Sequence, residues 1–314
     1  MDGVCDTFVL DCDGVIWCGE YAVPGSIEAI RALRAAGRRV LFVTNSSGKT
    51  REGLAARLRS FGVEADPEHV VTSASALALF MQQHHPDVRS VMLLGSGACA
   101  EELRAVGVSI CDGSGGVGAD GSGEPQCVGE AMTEAAFAAL EVPPRDEVGA
   151  VLLGGDYAFT YAALCRASLC LQPQQQPPDA PPLPFLCTSL DAFDSLGDRK
   201  FPGPTAIMAY GIEQTTGRTP VVVGKPSTVL AAALVRAHGL EPARVVMVGD
   251  RLDSDIAFGK NGGFVTALVR TGVTDQAALQ ASDVKPDFVF DDLAAVVRAL
   301  APTVEGEVVE VVEK

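Results

Sequence analysis

Two carboxylates one residue apart, Asp11 and Asp13, end the apolar run of the segment Phe8-Val9-Leu10-Asp11-Cys12-Asp13-Gly14-Val15. The run reads as a buried strand. The tip of such a strand is where an open α/β sheet holds its ligands. Carboxylates this close repel unless a cation or a shared proton relieves them, so the pair points to chemistry. Val245-Val246-Met247-Val248-Gly249-Asp250 repeats the pattern, and Arg251-Leu252-Asp253-Ser254-Asp255 follows it. A third strand, Arg39 to Thr44, closes in Thr44-Asn45-Ser46-Ser47, small polar donors suited to phosphate oxygens. Lys225 follows a fourth apolar segment, Val221-Val222-Val223-Gly224. Asp, Thr, Lys and Asp, each after an apolar strand, make a four-part constellation.

The elements that must position these residues alternate strand and helix. That order predicts a mostly parallel sheet with helices on both faces. Gly25-Ser26 opens a helix with Ile27, Ile30 and Leu33 at helical spacing, stopped by Gly37. A second helix is expected over residues 51–61. A third starts at Ser73, carries Leu77, Phe80 and Met81, and ends at His84-His85-Pro86. Those two histidines read as surface residues at a helix end. Between residues 89 and 219 the alternation continues, but two stretches interrupt it. Residues 111–126 are rich in Gly and Ser, residues 172–184 in Gln and Pro, and both read as loops. The acidic tail 305–314 reads as frayed.

At 314 residues and 47% hydrophobic, the chain can bury a large core and form two domains. No run approaches a membrane span. Met1 leads almost directly into a strand, without signal-peptide or transit features, so a cytoplasmic location is expected. A net charge of -16 argues against nucleic-acid backbones and anionic membranes as partners. It also disfavours anionic substrates at long range, so an anion site must be built locally, from a metal, Lys225 and backbone amides. Nine cysteines include no CxxC pair, and the histidines at 69, 84, 85 and 238 lie away from any cysteine cluster. Zinc is disfavoured, and reduced, mostly buried thiols are expected. Cys12, between the two acids, is the thiol whose oxidation could block them. Ser47-Gly48-Lys49-Thr50 imitates the end of a P-loop, but the required first glycine falls on Val43. Gly95-Ser96-Gly97-Ala98-Cys99-Ala100 follows a strand, with Asp112 after the next one. It matches a dinucleotide fingerprint, and it serves equally as a tight strand-to-helix turn.

The ordered motifs DCDGVIW at 11–17, VPG at 23–25, TNSSGKTR at 44–51, GKPS at 224–227 and GDRLDSDI at 249–256 resemble those of haloacid dehalogenase-type phosphatases. The subgroup is that of the phosphoglycolate, pyridoxal-phosphate and 4-nitrophenyl-phosphate phosphatases. The resemblance spans nearly the whole chain. It implies an α/β fold with a Rossmann-like parallel-sheet core, residues 1–88 and 220–314, and a large C2-type α/β cap inserted at 89–219. It also implies a Mg2+-dependent phosphomonoesterase. Asp11 would attack phosphorus to form an aspartyl-phosphate, and Asp13 would serve as general acid and then base. Asp11, Asp250 and the Asp13 carbonyl would hold the Mg2+. Thr44, Asn45, Ser46 and Lys225 would bind the transferring phosphoryl group. Asp255 and Asp253 would orient Lys225 or metal-bound waters, with a helix N-cap the equal alternative for Asp253.

Cap residues Asp191, Asp194 and Arg199, with Lys200, would lie near the leaving group. The segment departs from its relatives, with TSLD at 188–191 where many read TNxD, and Asp194 where pyridoxal-phosphate phosphatases carry a histidine. Pyridoxal phosphate is thereby disfavoured. A small phosphorylated metabolite is expected as substrate, 2-phosphoglycolate first, with glycerol 3-phosphate or broad aryl-phosphate activity next. The reading from another class is a non-catalytic protein that binds a nucleotide or partner through the GxGxxA turn. Relatives in the resembled subgroup often dimerise through the cap, so a homodimer is one assembly open to the chain, and the sequence does not fix the oligomeric state.

Overall fold

The computed structural model describes residues 5–111, 133–172, 180–196 and 199–301. Most of the two expected loops, Asp112 and the 305–314 tail lie outside the described residues. The chain opens with β1 (Thr7–Leu10), the short hairpin β2 (Trp17–Cys18) and β3 (Tyr21–Ala22), then α1 (Ser26–Ala35) and β4 (Arg39–Thr44). It continues through α2 (Arg51–Ser60), β5 (Val70–Thr72), α3 (Ser73–His84), β6 (Ser90–Gly95), α4 (Gly97–Ala105) and β7 (Ser109–Cys111). Next come α5 (Glu134–Ala138), β8 (Val151–Gly154), α6 (Tyr161–Leu171), β9 (Phe185–Cys187) and a hairpin of β10 (Phe193–Leu196) and β11 (Arg199–Pro202). The last stretch holds α7 (Pro204–Thr216), β12 (Val221–Val222), α8 (Thr228–His238), β13 (Val245–Gly249), α9 (Ala257–Gly262) and β14 (Val265–Val269). It ends with α10 (Gln276–Ala281), β15 (Phe288–Phe290) and α11 (Leu293–Leu300).

Two parallel sheets result. The first has the order β15-β14-β13-β1-β4-β5, the second β12-β9-β8-β6-β7. The central strands β1 and β13 are buried along their whole length, as unbroken apolar runs require in a parallel sheet covered on both faces. On one face of the first sheet, Phe8, Leu10, Phe42 and Val248 pack against Ile30 of α1, Leu58 of α2 and Val296 of α11. On the other face, Val9, Leu41 and Met247 meet Leu234 of α8 and Phe258 of α9. The second sheet is covered by α6 and α7 on one side, through Ala167, Cys170, Met208 and Ile212.

Its other side is covered partly by α3. Leu77, Ala78 and Met81 cluster there with Val91, Leu152, Leu186 and Leu103 of α4. Thus α3, which precedes residue 88, packs with the second sheet, and β12, which follows residue 219, pairs with β9 of that sheet. Helix starts follow local side-chain chemistry. Thr50 Oγ1 accepts the Gly53 N–H at 3.1 Å, and Thr72 with Ser75 forms a reciprocal capping box at the start of α3. Among the described residues no helix is long and apolar enough to cross a membrane.

Leu77 is fully buried at the junction of the two layers. Leu77→Ala should lower unfolding stability by about 2–5 kcal/mol in chemical denaturation, the usual range for a buried leucine truncated to alanine.

Candidate active site

Three neighbouring strands of the first sheet deliver their ends to one edge. Thr44 closes β4, Asp11 follows β1 and Asp250 follows β13. The register aligns Leu10 with Val248 and with Phe42, and the Asp11 N–H extends the ladder to the Val248 carbonyl at 2.9 Å. Lys225 arrives from the opposite direction, out of the turn after β12 of the second sheet.

Lys225 is 2% exposed, and its ammonium has three partners. It donates to Asp11 Oδ1 at 2.6 Å, Asp255 Oδ1 at 2.6 Å and the Val43 carbonyl at 2.9 Å. Burial alone would lower its pKa, but the charges of Asp11 and Asp255 outweigh that and raise it, so the side chain stays an ammonium. Asp11 experiences the reverse balance. Burial pushes its carboxyl well up, Asp255 and Asp250 push the same way, and Lys225 opposes them.

Asp255 Oδ2 accepts the N–H groups of Asp250 at 3.1 Å and Arg251 at 3.0 Å. Its carboxylate therefore fixes both Lys225 and the turn that carries Asp250. Asp253 does not bond to Lys225, which is held by Asp11, Asp255 and the Val43 carbonyl. Its carboxylate is largely exposed and pairs with Arg251 Nε at 3.3 Å and Nη2 at 3.2 Å, two residues back in the same turn, and it caps no helix.

Asp250 is 2% exposed, and its carboxyl is raised to about 7, first by burial and then by Asp255. One oxygen, Oδ2, accepts the Val273 N–H at 2.6 Å. The other, Oδ1, is buried without a hydrogen-bond partner. Carboxylate oxygens of Asp11, Asp250 and Asp255 all lie within 4.8 Å of one another. An orphaned carboxylate oxygen inside a cluster of three buried acids fits a hard divalent cation, whose ligands are oxygens. The side chain of Asp13 faces the cavity, outside the acid cluster, and the expectation for its backbone carbonyl at the metal is separate from that side chain. Its Oδ1 accepts the Trp17 Nε1–H at 2.9 Å, and desolvation by the surrounding walls raises its carboxyl.

Glycines allow this crowding. Gly14 has φ +82°, and a Cβ there would meet Asp250 Oδ2 at 2.5 Å. A Cβ on Gly272 would overlap the same carboxylate.

Residues 44–47 all line the cavity. Thr44 is buried, and its Oγ1 accepts the Ser46 N–H at 3.1 Å. The Asn45 amide is fully engaged in holding the site together. Its Nδ2 donates to Asp191 Oδ2 at 3.1 Å and the Lys225 carbonyl at 3.0 Å, and its Oδ1 accepts the Lys225 N–H at 2.8 Å. Ser46 lines the cavity from an exposed position.

The cavity has a volume of about 600 Å3 and runs from these residues to the β10–β11 hairpin. Its acids are Asp11, Asp13, Asp191, Asp194, Asp250 and Asp255, and its bases are Lys200, Lys225 and Arg251. Burial raises the Asp191 carboxyl, with Arg251 opposing. Asp194 Oδ2 accepts the Tyr157 hydroxyl at 2.8 Å. Arg199 stands outside the lining while Lys200 belongs to it, because successive residues of a strand point to opposite faces.

Cys12 is fully buried, and burial with the two flanking acids raises its thiol well above the ordinary range, which disfavours the reactive thiolate. Among the described residues no cysteine is in a disulfide, and no histidine lines the cavity.

Sequence reasoning missed Arg251, Tyr157 and the turn Thr271-Gly272-Val273. Arg251 reaches Asp191 at 3.9 Å and stacks over Phe193 at 4.9 Å, joining the acidic turn to the hairpin. The apolar run of β14 ending just before Thr271-Gly272 could have flagged that turn as another strand end. Nothing local could have flagged Tyr157.

Comparison with known proteins agrees with this geometry. A model described as haloacid dehalogenase-like hydrolase matches residues 8–109, and a second, HAD-hydrolase-like, matches residues 222–296. Phosphoglycolate phosphatase 2 of Arabidopsis thaliana is 34% identical over 94% of this chain and 93% of its own length. Glycerol-3-phosphate phosphatase of Homo sapiens is 38% identical over 94% and 91%. The fold is similar to that of a glycerol phosphate phosphatase of Mycobacterium tuberculosis solved in complex with magnesium, with a TM-score of 0.71 and 26% identity over 94% of this chain and 78% of that one. With its motifs at the carboxyl edge of a parallel sheet and its full-length likeness to these enzymes, the chain belongs to the haloacid dehalogenase-like hydrolase family.

Proposed function

We propose that the protein is a Mg2+-dependent phosphomonoester hydrolase that works through an aspartyl-phosphate on Asp11. The observation that carries this reading is the Lys225 ammonium at 2.6 Å from both Asp11 and Asp255, beside the partnerless Oδ1 of Asp250. Lys225 holds Asp11 Oδ1, which leaves the other oxygen to form the bond to phosphorus while the P–O bond to the leaving group breaks. Asp13 faces the cavity with a raised carboxyl, so it can protonate the departing alkoxide and later take a proton from the hydrolytic water. That water attacks phosphorus, releases phosphate and restores Asp11. The hydroxyls of Thr44 and Ser46 and the backbone N–H of Asn45 offer donors to the phosphoryl oxygens, and Lys225 offsets the developing charge. When bound by Asp11 and Asp250, Mg2+ would neutralise the acid cluster and polarise the phosphoryl group.

For the substrate, 2-phosphoglycolate is favoured by Lys200, a cavity-lining ammonium 4.5 Å over the Phe193 ring that can meet a second anionic group. Glycerol 3-phosphate is the second reading. It is favoured by the Tyr157–Asp194 hydrogen bond, a donor and acceptor pair suited to hydroxyls. The Arabidopsis and human relatives carry these two activities in their names.

Three measurements test these readings. Asp11→Asn, with the fold checked by circular dichroism, should lose phosphate release on the order of 10^4-fold or more. With 2-phosphoglycolate, Lys200→Ala should lower kcat/KM about tenfold while glycerol 3-phosphate changes less, and an equal loss on both esters would remove the carboxylate role. The third is the effect of Mg2+ on the thermal midpoint. Because the folded Asp250 carboxyl is raised to about 7, its contribution to metal-free stability is present below the ordinary carboxylate range and lost as pH rises through about 7. Mg2+ competes with that proton, so its stabilising effect should be larger at about pH 8 than at about pH 6.

A further inference from the structure

The turn Gly95-Ser96-Gly97-Ala98-Cys99-Ala100 has no part in the chemistry above, yet the helix it opens faces the loop that offers donors to phosphate. Ser96, Cys99 and Glu102 recur at intervals of three and so share one side of α4. Ser96 Oγ donates to the Ser47 carbonyl, and Cys99 Sγ lies 4.0 Å from the same oxygen. Glu102 Oε1 accepts the Arg51 backbone N–H at 2.8 Å. That N–H belongs to the first residue of α2, directly after the loop of residues 44–50.

Glu102 is 5% exposed, whereas the Arg51 side chain that pairs with it at 3.2 Å is 45% exposed. A buried carboxylate is costly unless its oxygens are used, and here Oε1 takes the backbone N–H of another layer while Oε2 takes the Arg51 guanidinium. At the other end of the loop, Asn45 is tied to Asp191 and to Lys225. The loop is therefore held from both ends by residues packed with the second sheet.

We propose that Glu102 is a positioning residue for the phosphate-binding loop, fixing the end of residues 44–50 through the Arg51 N–H so that the hydroxyls of Thr44 and Ser46 and the backbone N–H of Asn45 converge on the phosphoryl group. The proposal rests on the phosphatase reading. A residue that only staples two layers together would affect stability and leave phosphate affinity alone.

The experiment is competitive inhibition by inorganic phosphate, with steady-state kinetics and the thermal midpoint, on wild type, Glu102→Ala and Glu102→Gln in Mg2+. Glu102→Ala should raise the phosphate Ki and the ester KM about tenfold, with a smaller change in kcat. Glu102→Gln should recover most of the loss, because its amide carbonyl can accept the Arg51 N–H. A folded Glu102→Ala enzyme with Ki and KM within about twofold of wild type overturns the proposal, even if its thermal midpoint falls. If that variant does not fold, Glu102→Asp, which withdraws the carboxylate by one methylene, is read in its place. A raised Ki supports the positioning role, and an unchanged one overturns it. A wild-type protein that neither hydrolyses esters nor is inhibited by phosphate removes the phosphatase reading and this proposal together, an outcome distinct from a failure confined to the variants.

Discussion

The buried ammonium of Lys225 is the constraint on which the rest of the site depends. An ammonium taken out of water is tolerated only where its donors are used and its charge is met. Here two carboxylates and one carbonyl meet it, and all three come from the first sheet or the turn after β13, while the lysine comes from the end of the second sheet. The triad therefore closes the site and joins the layers in one set of bonds. It also fixes one oxygen of Asp11, so the nucleophile proposed here has a defined free face.

The acids around that ammonium outnumber it. Asp11, Asp250 and Asp255 share a space in which burial raises the carboxyls of the first two, and one oxygen of Asp250 finds no donor. Such an arrangement is unfavourable by itself, and a bound cation as proposed above would relieve it. The close approach that creates the cluster is steric in origin. Gly14 and Gly272 leave room beside Asp250 that no side chain could share.

At the far end of the cavity the chain changes layers. Phe193 carries Lys200 and Arg251 against its ring, and Tyr157 bonds to Asp194. These groups come from β10, β11, the loop after β8 and the acidic turn after β13.

The sequence by itself determined the strands, their apolar burial and the residues at their tips, because unbroken apolar runs and terminal acids are local signals. Asp11, Asp13, Thr44, Lys225, Asp250 and Asp255 were legible for that reason, as were the starts of α1, α2 and α3. Tertiary structure alone decided what those residues bond to. Asp255 rather than Asp253 meets Lys225, since a turn's geometry selects which of two nearby acids faces inward. Arg199 leaves the cavity and Lys200 enters it, since strand pleating sends neighbours to opposite faces. Asn45 is occupied in joining layers, α3 and β12 side with the second sheet, and the GxGxxA turn and the helix it opens bring Ser96 and Glu102 to the segment after β4. Each of these pairings links residues far apart in the chain, and long-range contacts leave no periodicity from which a single sequence can be read.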